Sequence, residues 1–91
     1  MVAMSTVISE GQSNKPILTT GVYYGYTAYS HDDGTFTMVY RNRTYEPGGM
    51  KVQDKWDSEP VPLTSTTKEA AIQEARENAV NYARAMAGVG A

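Results

Sequence analysis

The stretch Gly21–Arg41, GVYYGYTAYSHDDGTFTMVYR, decides the fold. Val22, Tyr24, Tyr26 and Ala28 alternate with Tyr23, Gly25, Thr27 and Tyr29. Beyond the polar HDDG segment, Phe36, Met38 and Tyr40 alternate with Thr35, Thr37, Val39 and Arg41. Successive side chains on a strand point to opposite faces, so period-two alternation of aromatic and β-branched residues predicts two strands. Asp33-Gly34 supplies a residue that tolerates positive φ where the chain must reverse. The reading is an antiparallel hairpin.

On the C-terminal side, Glu46-Pro47-Gly48-Gly49 has the chemistry of a type II turn, with proline setting φ at the second position and glycine accepting positive φ at the third. A third strand is predicted over Met50–Trp56, with Met50, Val52, Asp54 and Trp56 on one face. Lys51 and Lys55 on the other face suit an exposed edge. Asp57–Leu63 carries Pro60 and Pro62 and is predicted as an extended connector. Thr66-Thr67-Lys68-Glu69 fits a capping box with Thr66 as N-cap and Glu69 reaching back. A helix is predicted over Thr67–Ala87, ended by Gly88. Its apolar stripe is Ile72, Ala75, Ala79, Tyr82, Ala83 and Met86. Alanine recurs at 71, 75, 79, 83 and 87, a ladder of small residues that lets the helix approach a tyrosine-rich sheet face closely.

On the N-terminal side, residues 1–20 hold two apolar islands, Thr6-Val7-Ile8 and Ile17-Leu18, separated by a loop-like run from Glu10 to Pro16. This region is expected to be a tail or a short edge strand, and 21–91 a single ββ(β)α domain. The fold class is therefore α+β: three antiparallel strands, with a possible fourth at the N-terminus, packed on one C-terminal helix.

A chain of 91 residues with 41% hydrophobic and 20% charged residues fits one small globular domain. With no cysteine there is no disulfide staple and no thiolate metal site. The net charge of −2 provides no global attraction to phosphate. No stretch approaches the roughly 20 apolar residues of a membrane helix, and no secretory signal is evident, so a cytoplasmic location is expected. Asn42-Arg43-Thr44 matches the glycosylation acceptor pattern, which is short enough to occur by chance.

Catalysis finds little support in these residues. The single histidine, His31, lies beside Asp32 and Asp33, but adjacent turn residues rarely converge on a metal, which needs three or four ligands. No nucleophile motif completes a catalytic constellation, and Gly48-Gly49 sits between strands and not before a helix. No enzyme activity, cofactor or metal is expected.

Binding is the better reading. Arg41, Arg43, Lys51 and Lys55 fall in one hairpin, so residues 41–56 sum to +2 while 1–40 and 57–91 each sum to −2. Cations beside outward Tyr23 and Tyr29 suit single-stranded nucleic acid, through charge and stacking. A three-stranded sheet backed by one helix is similar in architecture to AP2 and phage-integrase arm-binding domains, which implies nucleic-acid binding but carries over no residues. The leading expectation is a non-catalytic protein-binding or accessory module, or one that self-associates. Seven tyrosines and Trp56 exceed what so small a core buries, and such residues dominate interfaces. The candidate binding residues are Tyr23, Tyr29, Arg41, Arg43, Lys51, Lys55 and Trp56.

Overall fold

The structure is a computed structural model, and it describes residues 4–13, 21–48 and 51–89, with side chains described through Met86. The expected strand residues Ile17, Leu18 and Met50, and Gly49 of the second turn, lie outside the described residues. The elements are β1 (Ser5–Gln12), β2 (Val22–His31), β3 (Phe36–Tyr45), β4 (Val52–Asp57), β5 (Val61–Pro62) and α1 (Lys68–Val89). The sheet is antiparallel, in the order β1-β2-β3-β4, with β5 also on β3. The helix packs on one face of it, giving the α+β architecture expected.

The central hairpin pairs Tyr26 with Tyr40, Ala28 with Met38 and Ser30 with Phe36. Its turn closes as predicted: Gly34 takes φ +86° and donates to the His31 carbonyl at 3.1 Å, while Asp33 accepts from the Thr35 amide and hydroxyl. In the next turn Gly48 takes φ +104° after Pro47.

β1 is longer than the apolar island Thr6-Val7-Ile8, because it continues through Glu10, Gly11 and Gln12, which read locally as loop. Tertiary contacts explain the difference. The Tyr26 ring lies over Gly11, where an added Cβ would stand 3.0 Å from the ring edge. On the neighbouring strand, a Cβ on Gly25 would stand 2.5 Å from the Gly11 carbonyl oxygen. Two bare positions thus let the strands close, with an aromatic ring covering the gap. A bulge between Val7 and Ser9 turns both Ile8 and Ser9 toward the helix: Ile8 packs on the core, and the Ser9 hydroxyl lies 2.8 Å from that of Tyr26.

The connector after β4 is also partly sheet, contrary to expectation. Ser58 exchanges bonds with Tyr40, its amide donating to the Tyr40 carbonyl and its hydroxyl accepting from the Tyr40 amide, both at 2.9 Å. Val61 and Pro62 then pair with Met38 and Thr37, and the Leu63 amide donates to Phe36 at 2.9 Å. Because residue 63 points its amide at β3, alternation turns the missing N–H of Pro62 outward, where proline is tolerated.

The helix begins one residue later than the capping box implies. Thr67 is the N-cap, its hydroxyl accepting from the Ala70 amide at 3.3 Å and its carbonyl from Ala71 at 2.9 Å. Glu69 is thereby displaced from the reciprocal position. Glu74 takes over the anchoring, accepting from the amides and hydroxyls of both Thr64 and Ser65 at 2.6–3.1 Å. The Ser65 hydroxyl, followed by the Thr64 amide, holds the Glu74 carboxyl below the usual glutamate range. At the other end the helix runs through Gly88 to Val89, so that glycine is not its stop.

The first three alanines of the ladder face the sheet. Ala71 and Ala75 are fully buried, and Ala79 packs beside them. They cover Tyr26, Ala28, Phe36 and Met38, with Leu63 closing the end of this core. Met38, fully buried beneath the ladder, also accepts a weak bond to sulfur from the Asn78 amide at 3.6 Å. Farther along, Tyr82 stacks on Tyr40 with centroids 4.5 Å apart and meets Tyr24 edge-on at 5.7 Å. Among the described residues no helix is long and apolar enough to cross a membrane.

Candidate functional site

One face of the sheet carries the helix; the opposite face carries no second layer among the described residues. The register sets out this open face in rows. Val7, Tyr29 and Thr37 form one row, and Glu10, Thr27 and Val39 the next. Gln12, Gly25, Arg41 and Asp57 follow, and then Tyr23, Arg43 and Lys55. Arg41 and Arg43 therefore do share the outward face with Tyr23, Thr27 and Tyr29.

Their charges, however, are neutralised within the sheet. Arg43 is only 8% exposed. Its Nη1 lies 2.8 Å from Asp57 Oδ1 and donates to the carbonyls of Asn42 and Trp56. Arg41 reaches across β2, over the bare Cα of Gly25, to Glu10 at 3.4 Å and the Thr27 hydroxyl at 3.3 Å. Both carboxylate partners lie outside the 41–56 segment whose sum is +2. Lys51 and Lys55 are exposed and make no ion pair among the described residues. The two arginines thus add little net positive field to the face, which keeps Lys55 as an exposed cation without an ion pair among the described residues.

The aromatic surface falls in two places, Tyr23 with Tyr45 at one end of the face and Tyr29 three rows away, with Arg41 between them. Tyr23 and Tyr45 meet edge-on at 5.2 Å, and the Tyr45 hydroxyl lies 3.1 Å from the Gln12 side-chain nitrogen. Tyr23, Tyr29, Val39 and Tyr45 are all half-buried, with one side in water. Trp56 does not join them. It pairs with Asn42, so it projects from the helix side of the sheet, 50% exposed on the edge strand β4. Tyr45 and Val39 are members that sequence reasoning did not single out, although their odd-numbered positions on β3, shared with Arg41 and Arg43, were a usable signal.

The His31 turn is structural in its contacts. Its two ring nitrogens lie 2.9 Å from the Ser5 hydroxyl and 2.8 Å from the Thr37 hydroxyl, while Asp32 accepts from the Met4 amide. Among the described residues no group of three or more His, Cys, Asp or Glu side chains is placed to hold a metal. Burial, and then the neighbouring Tyr82, push the Tyr24 and Tyr40 phenols up; both belong to the covered face. No protein-family model, no curated protein and no solved structure matches the chain at a significant level.

Proposed function

We propose that this domain is a non-catalytic protein-binding module whose contact surface is the open sheet face centred on Tyr23, Tyr29, Val39 and Tyr45. The observation that carries the reading is the unlayered tyrosine-rich face, on which both arginines are already paired with carboxylates. Rigid, half-buried tyrosines offer large contact area at low entropic cost, and neutralised arginines leave apolar contact as the main source of affinity. The same pairing lowers the standing of nucleic acid as the partner, since of the four cations of that hairpin it leaves only Lys51 and Lys55 without an ion pair among the described residues.

The test is site-specific photo-crosslinking in native lysate from position 23, with position 69 on the exposed first turn of α1 as control. A discrete adduct from 23 and none from 69 supports the reading. Equal labelling from both positions defeats it. An amide-resolved titration with oligonucleotides at low salt completes the test. Shifts confined to 41–56 that vanish with added salt would transfer the site to nucleic acid.

A further inference from the structure

A second surface lies on the helix side, at the opposite margin of the sheet from Trp56. Between β1 and the C-terminal half of α1 runs a groove of about 740 Å³. Its floor is Tyr24 and Tyr26, and one wall is the helix, with Ala79, Val80 and Ala83 above the floor. The other wall is the margin of β1, where Gly11 contributes no side chain. We infer that the free edge of β1 and this groove take up an extended acidic segment of a partner protein, added as a strand antiparallel to β1.

Three observations specify that occupant. First, among the described residues β1 is the terminal strand and pairs only with β2. The Ser13 amide donates to the Tyr24 carbonyl, so alternation along β1 turns the N–H and C=O of Glu10 and Gln12 toward the free side. A strand laid there gains main-chain bonds, which is the basis of strand addition.

Second, the wall is cationic. Arg76 and Arg84 line the groove on either side of Val80, which is 49% exposed. Neither arginine has a carboxylate partner among the described residues; Arg76 makes a long contact, 3.4 Å, to the Tyr26 hydroxyl. Of the acids nearby, Glu10 is turned to the open face by its pairing with Arg41. Glu77, which accepts from Gln73, lies outside the groove but shares a smaller depression with Arg76, Val80 and Arg84, with no ion pair to either arginine.

Third, the spacings match. Ala71 and Ala75 sit in the cluster with Phe36 and Ala28, and Tyr82 sits by Tyr24 and Asn42, so α1 runs along the strands in the same direction as β1. Positions 76 and 84 are separated by about 12 Å at about 1.5 Å per helical residue. Residues i and i+4 of a strand share a face and lie about 13 Å apart. The occupant's helix-facing side chains are therefore acidic at i, apolar at i+2 and acidic at i+4. The central apolar residue enters beside Gly11, over the Tyr26 ring and against Val80.

The experiment is a fluorescence-anisotropy titration of the full chain with a labelled peptide, Thr-Glu-Thr-Val-Thr-Glu-Thr, and its lysine counterpart, Thr-Lys-Thr-Val-Thr-Lys-Thr. Saturable binding of the glutamate peptide, with a dissociation constant on the order of 100 μM, is expected for so short a strand. The Arg76→Glu/Arg84→Glu variant should bind it about tenfold more weakly and bind the lysine peptide instead, a charge swap that a misfolded variant would not produce. Methylating the peptide's main-chain nitrogens on the β1 side should abolish binding. Binding that survives methylation, or ignores the charge swap, overturns the proposal. Absence of binding together with a dimer in sedimentation assigns the edge to a second copy and overturns it as well. Absence of binding by a monomer, with residues 14–20 shifting in NMR spectra of the double variant, gives the groove to the chain's own segment and also overturns it. Tyr23→Ala/Tyr29→Ala should leave peptide binding unchanged, which separates this groove from the open-face reading.

Discussion

The two faces of this sheet are built from similar residues and have different fates. The covered face holds Tyr24, Tyr26 and Tyr40 under a helix whose small residues allow close approach. The open face holds Tyr23 and Tyr45, which meet edge-on, and Tyr29 three rows along the strand from them. Composition does not distinguish them. Parity along the strand does, and what parity means depends on which side the helix lands. A tyrosine beneath the alanine ladder becomes core, and one residue along the strand its neighbour becomes surface.

Removing core from the covered face should have the largest effect. Met38→Ala leaves a cavity beneath Ala71 and Ala75 and should cost about 3 kcal/mol in denaturant unfolding. The open face has one position that behaves like core. Arg43→Ala strips Asp57 and two carbonyls of their donor and should cost about 2 kcal/mol, whereas Arg41→Ala, at a longer and more exposed pair, should cost under about 0.5 kcal/mol. Equal costs would mean that Arg43 is a surface cation after all, reopening the nucleic-acid reading.

Glu74 tests how firmly the covering helix is anchored. Glu74→Gln should cost about 1 kcal/mol, at the low end for charged hydrogen bonds because the carboxylate faces solvent. The folded-state value is depressed, so this contribution is full above the unfolded glutamate value of about 4.3 and fades as pH falls through the folded one. Acid unfolding of the Gln variant should lose that part of its pH dependence.

At alkaline pH the faces should separate spectroscopically. Tyr24 and Tyr40 are raised by burial and then by Tyr82, so their phenols should be the last to ionise in an ultraviolet titration. The folded state holds those protons longer than the unfolded chain. Their contribution is intact below the unfolded tyrosine value of about 10 and is lost as pH rises through the folded value. The smallest stability effect belongs to Tyr23→Ala, about 0.5 kcal/mol from the lost edge-on contact with Tyr45. Its effect on crosslinking should be large, and that contrast between stability and binding marks a surface used for recognition.

Much of the scaffold was legible in the chain alone. Alternation from Val22 to Tyr40 predicted the central hairpin and its faces, because a strand repeats every two residues whatever it packs against. Gly34 and Gly48 marked the reversals, and the alanine ladder identified the helix face that meets the sheet. These are local properties of backbone sterics and side-chain size.

What tertiary structure alone decided is what residues distant in sequence do to one another. Glu10, Gly11 and Gln12 read as loop until Tyr26 covers the glycine and Gly25 admits the neighbouring backbone. Pro62 reads as a strand breaker until an edge position turns its missing donor outward. Arg41 and Arg43 read as a basic patch until Glu10 and Asp57, brought alongside by strand pairing, neutralise them. The groove along β1 exists only because α1 runs beside that strand. Hydrogen bonding, desolvation and charge pairing act through space over a few ångströms, so the segments they join need not be neighbours in the chain.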